Sequence, residues 1–234
     1  MIKKDRSNIA LNYSEHPRTE GGLLLELPMI IVGLTGGIAT GKSLVADMLA
    51  QKNAIIVDAD RISHQVVKKD TPAWQEIVKT FGREILREDG ELDRKALGRI
   101  IFSDETQRNQ LNHIVHPRVF EEISRNIAMI LESREEPNPV IILDVPLLFE
   151  TRMNRELSDI VLVYAPEEIQ LKRLLIRDDT DEEDALARVR SQIPIEEKKH
   201  QADYIIDNSG SIEKTRQQVD DLFAELKKKA ENTF

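Results

Sequence analysis

The stretch Gly36-Gly-Ile-Ala-Thr-Gly41-Lys42-Ser43 decides the fold of this chain. It fits the pattern G-x-x-x-x-G-K-S/T at every fixed position, and this pattern cradles phosphate where it joins a strand to a helix. The sequence predicts both the strand before the loop and the helix after it. Residues 29–35 form an apolar run that predicts a buried parallel strand. Residues 42–51 place apolar side chains on one face of a helix. The sequence therefore predicts a nucleotide-binding loop between a first strand and a first helix.

The chemistry of this loop follows from its residue types. Glycines let the backbone approach a polyphosphate closely, and the N–H groups at the helix N-terminus point partial positive charge at it. In this pattern Lys42 reaches the β- and γ-phosphates, and Ser43 places its hydroxyl on Mg²⁺. A plain glycine turn is the alternative. The expected ATP-binding residues here are Gly36, Gly37, Ile38, Ala39, Thr40, Gly41, Lys42, Ser43 and Leu44.

Apolar runs alternate with helical segments along the rest of the chain, which predicts an α/β protein with a parallel sheet. The predicted strands are residues 29–35, 54–57, 140–143, 160–164 and 204–206. Residues 212–229 predict a closing amphipathic helix. We expect a P-loop NTPase-like, three-layer fold with a parallel five-stranded sheet. The dinucleotide pattern G-x-G-x-x-G is absent around the loop, which argues against a nicotinamide enzyme.

Two long helical segments interrupt the strand pattern. Residues 61–133 are too long for a simple crossover, so they predict a helical substrate-binding insertion. Its expected helices are residues 72–81, 93–102, 105–113 and 117–131, the last beginning at His116-Pro117. Residues 166–202 predict a second insertion, a helical lid region. Residues 1–28 are polar and aperiodic, which predicts a flexible N-terminal extension, so the folded domain spans residues 29–232.

The composition excludes several classes of protein. The chain has 234 residues, of which 40% are hydrophobic and 32% charged, as expected for a folded globular protein. Cysteine is absent, which excludes disulfides, thiolate catalysis and zinc held by sulfur. The net charge of −9 argues against a nucleic-acid partner. Residues 23–34, the most apolar stretch near the start, are shorter than the about 20 residues of a membrane span. We therefore expect a cytoplasmic protein without a membrane partner.

Carboxylates follow two of the predicted strands. The second strand ends in Asp58-Ala59-Asp60, where one carboxylate can accept a proton from an acceptor hydroxyl and another can order a magnesium-bound water. Helix capping is the alternative, because Asp is a favoured N-cap, and the spacing does not decide which Asp is the base. The third strand ends at Asp144, which matches the magnesium-ordering carboxylate of P-loop proteins, with a turn or cap residue as the alternative.

An apolar run and a set of arginines complete the candidates. Residues 145–149, with Leu147, Leu148 and Phe149, either line a pocket for an apolar part of a substrate or pack under the helical insertion. Arg173 and Arg177 share a helix face because they are four residues apart. Lid arginines supply charge and exclude water during phosphoryl transfer. We favour Arg177 over Arg173. We also expect that at most two of four arginines contact phosphate: Arg173, Arg177, Arg188 and Arg190. The alternative is a solvated helix with salt bridges to Asp181, Glu182, Glu183 and Asp184.

Five segments together resemble the dephospho-coenzyme A kinase family. They are Gly33-Leu-Thr-Gly-Gly-Ile-Ala-Thr-Gly-Lys-Ser43, Asp58-Ala-Asp60, His116-Pro117, Asp144-Val-Pro-Leu-Leu-Phe-Glu150 and Ala202-Asp-Tyr-Ile-Ile-Asp-Asn-Ser-Gly210. The resemblance covers about residues 29–229. The loop alone does not select this family, and the joint presence of the later segments is much more specific.

The resemblance implies MgATP-dependent phosphorylation of the ribose 3′-hydroxyl of dephospho-CoA, the last step of coenzyme A synthesis. It implies a P-loop kinase domain, with a helical CoA-binding insertion at residues 61–133 and a lid at residues 166–202. Its substrates are ATP and dephospho-CoA, with Mg²⁺ as cofactor, and we expect a monomer or small homo-oligomer.

The family also implies roles for particular residues. Asp60 is the general base, Lys42 and Ser43 hold phosphates and magnesium, and Arg177 or Arg173 is the lid arginine. Asn208 and Gly210 match the segment next to the adenine of ATP. Asp144 completes the metal and substrate candidates, and His116, by position a capping or packing residue, is a substrate-binding candidate. Two features depart from the family. Ala39 stands where the family often has glycine, which we expect to be neutral, and residues 1–28 have no counterpart.

Two other functions share the same core residues. A P-loop kinase for a nucleoside, nucleotide or shikimate-like acceptor has the same loop, so the acceptor insertion decides between them. An ATP-dependent regulator that signals through a partner protein is the second alternative. A guanine-specific Asn-Lys-x-Asp segment is absent, which disfavours a GTPase switch.

Overall fold

A computed structural model describes residues 29–132 and 138–232, and the extension expected at residues 1–28 lies outside the described residues. The chain divides into two compact units. The sheet unit contains the described residues up to Val57 and from residue 138 onward, and the helical unit contains the described residues from Asp58 onward up to residue 132. Each unit is described by itself below.

The sheet unit is built on five strands in the order β2-β3-β1-β4-β5. The strands are β1 (Ile30–Gly36), β2 (Ile55–Asp58), β3 (Val140–Asp144), β4 (Asp159–Tyr164) and β5 (Tyr204–Asp207). β1 pairs in parallel with β3 on one side and β4 on the other, and β4 pairs in parallel with β5. The predicted α/β fold with a parallel five-stranded sheet is confirmed, and each observed strand overlaps its predicted range.

The helices are numbered in chain order through both units. They are α1 (Lys42–Ala50), α2 (Ala59–Val66), α3 (Pro72–Phe81), α4 (Arg94–Ser103), α5 (Glu105–Glu132), α6 (Glu167–Asp178), α7 (Glu182–Arg190), α8 (Ile195–Lys199) and α9 (Ile212–Glu231). Several begin at a side chain that accepts a backbone N–H. Thr71 caps α3 ahead of Pro72, and Asp181 and Ser211 cap α7 and α9, as N-cap preferences predict.

The core of the sheet unit explains why β1 is a continuous apolar run. Val32 and Leu34 of β1 are fully buried, in one cluster with residues of α1 and α9 such as Leu49 and Leu226. The other face of β1 is covered as well, because a Cβ on Gly33 would meet the Leu148 and Leu157 side chains, so the alternation with polar residues is lost. Among the described residues, no helix is both long and apolar enough to cross a bilayer.

The helical unit contains α2 to α5, with its own core around Ile77, Phe81 and Ile114. Two short elements connect α3 to α4. Residues Arg83–Ile85 form one 3-10 turn, and Leu86 and Leu92 form an isolated bridge. This unit contains the described residues of the segment 61–133, which the sequence predicts as a helical insertion.

The expectation that a new helix begins at His116-Pro117 is wrong. Residues 105–132 form a single helix, α5, with Pro117 in its interior. A proline there removes one backbone donor and crowds the preceding turn. Burial overrides that local cost, since Ile114 before the proline and Val119 after it are both buried. The Arg118 guanidinium donates to the Ile114 carbonyl at 2.6 Å, one turn back along the same helix.

Candidate active site

The phosphate loop runs from the end of β1 at Gly36 to the start of α1 at Lys42. Gly41 has a φ of 89°, in the left-handed region where a Cβ is strained. A Cβ on Gly41 would also overlap the side-chain amide of Asn208. Thr40 closes a turn inside the loop, because its hydroxyl and its N–H both point to the Gly37 carbonyl, at 2.9 and 3.3 Å. Glycine is therefore required at position 41 both by the left-handed backbone and by the lack of space beside Asn208.

Ala39 is not neutral, contrary to the expectation from its sequence. Its φ is 57°, in the left-handed region that costs an L-residue about 1–2 kcal/mol relative to right-handed backbone. Glycine adopts this conformation without that cost. The alanine is accommodated because its side chain packs against a small apolar cluster that includes Leu174 and Val189.

Lys42 and Asp144 form an ion pair between the loop and the end of β3. The register of the sheet brings them together, since Asp144 pairs with Leu34 of the neighbouring strand β1. Their side chains are 16% and 19% exposed, so the pair is partly screened from water. The oxygen atoms of Asp144 and of the exposed Ser43 hydroxyl are the hard donors that Mg²⁺ prefers, and these residues therefore fit the predicted metal.

Asn208 contacts the loop from the end of β5. Its amide donates to the Thr40 carbonyl at 2.7 Å, and its side-chain oxygen accepts the Thr215 hydroxyl at 2.8 Å. The side chain is buried, at 4% exposure. Gly210, the other residue expected near adenine, is exposed. Asn208 thus supports the loop directly, which its place in the sequence motif did not reveal.

The two candidate lid arginines occupy different environments. Arg173 is half-buried and donates to the Asn208 carbonyl at 2.7 Å and to the Thr40 carbonyl at 3.4 Å. Arg177 is exposed and makes two hydrogen bonds to Asp178, at 2.7 and 3.1 Å. These bonds, with a further one from Arg188, hold the pKa of Asp178 at about 2. The structure places Arg173, rather than the favoured Arg177, against the phosphate loop.

Arg188 and Arg190 lie on α7. Arg188 pairs with Asp178 at 2.7 Å, and Arg190 lies 3.9 Å from Glu167. These contacts match the alternative expected from the sequence, a solvated helix with salt bridges. The acidic partners come from α6 rather than from residues 181–184.

The apolar run after β3 divides into buried and exposed parts. Val145, Leu148 and Phe149 are buried, whereas Leu147 is 39% exposed. A Cβ added to Gly33 would lie 3.3 Å from Leu148 Cδ2, so Leu148 packs against β1. Of the three apolar residues of this run that were expected to bind substrate, Leu147, Leu148 and Phe149, Leu147 alone has an exposed side chain.

Asp58 and Asp60 take different places at the start of α2. Asp58 is the N-cap, and its carboxylate accepts the Arg61 N–H at 2.8 Å. The capping alternative therefore holds for Asp58. Asp60 lies in the first turn of α2 with an exposed side chain. Both belong to the helical unit, as does His116, whose pKa is lowered by burial and by the charge of His113.

Sequence reasoning missed three polar residues that support the loop. Thr215 orients Asn208. Gln170, buried on α6, donates to the Ala165 carbonyl and would contact a Cβ at Gly37. Gln192 accepts the Ile38 N–H at 2.9 Å. A single polar residue in a helical segment carries no local signal for such contacts.

Comparison with known proteins decides the family. The family model described as CoaE, Dephospho-CoA kinase, matches residues 30–214. The chain belongs to the dephospho-CoA kinase family. A curated dephospho-CoA kinase from Carboxydothermus hydrogenoformans is 47% identical over 196 residues, which cover 84% of this chain and 93% of that protein. One from Shouchella clausii is 47% identical over 193 residues, covering 82% of this chain and 96% of that protein.

Solved structures agree with membership of the dephospho-CoA kinase family. A crystal structure of a Thermus thermophilus protein has a TM-score of 0.66 and 34% identity, covering 84% of this chain and 97% of that one. A dephospho-CoA kinase from Campylobacter jejuni has a TM-score of 0.57 and 29% identity, covering 86% of this chain and 98% of that one. The predicted family is thus confirmed, and the chain is a kinase by family.

Proposed function

We propose that this protein transfers the γ-phosphoryl group of ATP to the ribose 3′-hydroxyl of dephospho-CoA, giving coenzyme A and ADP. The observation that carries the proposal is the loop that presents Lys42 opposite Asp144, in a chain of the dephospho-CoA kinase family. Catalysis of phosphoryl transfer consists mostly of positioning and charge stabilisation, and the loop supplies both. ATP and dephospho-CoA are then small-molecule partners in the cytoplasm, and neither nucleic acid nor a membrane takes part.

Lys42 changes partner when ATP binds. The Lys42 ammonium pairs with Asp144 in the structure. The β- and γ-phosphates offer it more negative charge, and the N–H groups at the start of α1 face the same ligand. ATP therefore takes Lys42 from Asp144 and leaves that carboxylate available to a cation. Asn208 and Arg173 keep Thr40 in place during this exchange.

Magnesium fits the released carboxylate. Ser43 and Asp144 are the residues that would hold Mg²⁺, directly or through its water, together with the phosphates, as is common at kinase sites. The ion supplies positive charge that neutralises the phosphoryl oxygens.

Asp60 is the proposed general base for the acceptor. A ribose hydroxyl is a weak nucleophile, and a carboxylate within hydrogen-bonding reach orients it and accepts its proton. The family resemblance supports Asp60 in this role, and the Asp58 carboxylate caps the N-terminus of α2. We assign dephospho-CoA binding to the helical unit, residues 61–133, with His116 as a contact.

Arg173 is the proposed lid arginine nearest the nucleotide. Its guanidinium is already at the loop through the Thr40 and Asn208 carbonyls. Arg177 is neutralised by Asp178, so it reaches phosphate only if the α6–α7 region rearranges. Replacing Arg173 is therefore expected to weaken ATP binding more than replacing Arg177.

A panel of acceptors tests the function. ADP release is measured with ATP and Mg²⁺ and with dephospho-CoA, a nucleoside monophosphate or shikimate as acceptor. We expect turnover only when dephospho-CoA is the acceptor. Activity with the nucleoside monophosphate and none with dephospho-CoA would overturn the proposal, and ATPase activity stimulated by a protein would favour a regulator.

Two substitutions at neighbouring aspartates test the general base. Asp60→Asn should lower turnover by about 10²–10⁴-fold, because the base is lost, while ATP binding remains near that of the unaltered protein. Asp58→Asn is the matched control, since asparagine is an equally good N-cap and the helix is preserved. Near-normal turnover in Asp60→Asn would reject Asp60 as the base.

A further inference from the structure

The phosphate loop is held from outside by residues of the lid region. The backbone N–H of Ile38 donates to the side-chain oxygen of Gln192 at 2.9 Å, across 154 residues of sequence. The side chain of Ile38 packs against the apolar cluster formed by Leu174, Ala185 and Val189 of α6 and α7. One residue of the loop is thus fixed through both its backbone and its side chain by the same region.

The backbone beside Gln192 is fixed in turn by Glu150. The N–H of Ile193 donates to Glu150 Oε1 at 3.2 Å. Glu150 ends the segment that begins at Asp144, the carboxylate paired with Lys42. The two sides of the nucleotide site, the loop and the end of β3, therefore meet at residues 192 and 193.

A buried ion pair holds Glu150. The Lys198 ammonium lies 2.6 Å from Glu150 Oε1, and the Lys198 side chain is completely buried. The contact has the geometry of an ion pair rather than of an aligned hydrogen bond. A buried ammonium is strongly unfavourable without a compensating charge. Lys198, on α8, therefore stays with Glu150, and the chain from 193 to 198 is attached to that carboxylate at both ends.

We propose that Gln192 is a positioning residue for the phosphate loop, held in place by the Glu150–Lys198 pair. The inference rests on the proposed use of this loop for ATP. By accepting the Ile38 N–H, Gln192 sets the orientation of the Gly37–Ile38 peptide group, whose carbonyl accepts from Thr40 within the loop. A loop that is ordered before ATP arrives loses less conformational entropy on binding, so the contact increases affinity for the nucleotide.

The Gln192→Met variant removes the acceptor and keeps the length of the side chain. One hydrogen bond contributes about 1 kcal/mol, so we expect ATP to bind about fivefold to tenfold more weakly, measured by calorimetry with Mg²⁺. The KM for ATP should rise by a similar factor, while kcat changes by less than about threefold, because the loop binds ground state and transition state alike. Gln217→Met, on the exposed surface of α9, is the matched control and should bind ATP unchanged.

The exchange rate of the Ile38 amide proton reports on the contact itself. In the ligand-free protein this N–H should be protected, and protection should be lost in Gln192→Met. Gln192→Glu keeps an oxygen acceptor and should restore protection, even though its charge disfavours ATP. A purely structural role for Gln192 would leave the Ile38 amide no more affected than other buried amides of the sheet unit.

Two variants distinguish the effect of the ion pair on ATP binding from its effect on folding. Lys198→Met leaves Glu150 with an uncompensated charge, and we expect ATP to bind at least about tenfold more weakly, or the protein to lose its fold. The double variant Glu150→Gln with Lys198→Met removes both charges and keeps an oxygen for the Ile193 N–H. It should fold, because no buried charge is left unpaired, but it should bind ATP about threefold to tenfold more weakly, because residues 193–198 lose the ion pair that holds them.

The outcomes distinguish this inference from the proposed function. ATP binding as tight in Gln192→Met as in the unaltered protein would overturn the positioning role, whatever the acceptor. ATP binding as tight in the folded double variant as in the unaltered protein would overturn the part played by the ion pair. By contrast, an enzyme that binds ATP and ignores dephospho-CoA contradicts only the proposed function.

Discussion

Replacing Asn208 by alanine should destabilise the ligand-free protein substantially. The substitution removes two hydrogen bonds of a buried side chain, to the Thr40 carbonyl at 2.7 Å and from the Thr215 hydroxyl at 2.8 Å. Each contributes about 1 kcal/mol net, and the space left by a truncated buried side chain adds about 1 kcal/mol. Thr215 keeps a second acceptor, the Ser211 carbonyl at 3.3 Å, so the hydroxyl is not left unsatisfied.

The expected loss in the free energy of unfolding is therefore about 2–3 kcal/mol. For a protein of this size, that corresponds to a fall in Tm of about 4–12 °C. Urea unfolding followed by circular dichroism measures it, and the m value should not change. Asn208→Asp has the same shape but cannot donate to the Thr40 carbonyl, so it should be at least as destabilising as Asn208→Ala.

Two further variants make the measurement specific. Asn232→Ala is the matched control, because Asn232 is exposed, and surface substitutions usually change stability by less than about 0.5 kcal/mol. Combining Asn208→Ala with Thr215→Val should show a coupling of about 1 kcal/mol, since both remove the same bond. If the free energy of unfolding of Asn208→Ala lies within about 0.5 kcal/mol of that of the unaltered protein, the contacts to Thr40 and Thr215 do not stabilise the loop.

Two other predictions follow from the ion pair at the loop and from the buried histidine. Lys42→Met should lower kcat/KM for ATP by about 10²–10³-fold through loss of charge at the phosphates, whereas Lys52→Met, at a half-buried lysine beyond α1 that pairs with Asp220, should leave steady-state rates unchanged. Burial holds the pKa of His116 below its ordinary value of 6.5, so the folded state prefers the neutral imidazole. Its contribution to stability is complete above pH 6.5 and declines as the pH falls below that value. Urea titrations followed by the fluorescence of Trp74, in the same unit, should show a smaller loss of stability between pH 7 and pH 5 in His116→Gln, and an equal loss would contradict this reasoning.

Local patterns were sufficient for the strands and for most helices. The apolar run before Gly36 and the loop pattern after it predict β1 and α1 without other information, because both depend on short-range periodicity. The same reasoning failed at Pro117, where propensity predicts a helix boundary. Burial on both sides of the proline keeps α5 continuous, and burial is a property of the folded chain.

The arginines show a different limit. Arg173 and Arg177 are equivalent in sequence, since both lie on one face of α6. Only the folded structure separates them, because the carbonyls that Arg173 contacts belong to Thr40 and Asn208, far away along the chain. Arg177 instead meets its immediate neighbour Asp178.

By itself, the sequence determined that this chain has a nucleotide-binding loop on a parallel sheet and which family it belongs to. Those conclusions depend on residue types at fixed short spacings. The tertiary structure alone decided which side chains hold the loop: Asp144 meets Lys42 across 102 residues, Gln192 meets Ile38 across 154, and Asn208 meets Thr40 across 168. Hydrogen bonds act over about 3 Å, so partners so distant in sequence are set by the path of the chain through the sheet.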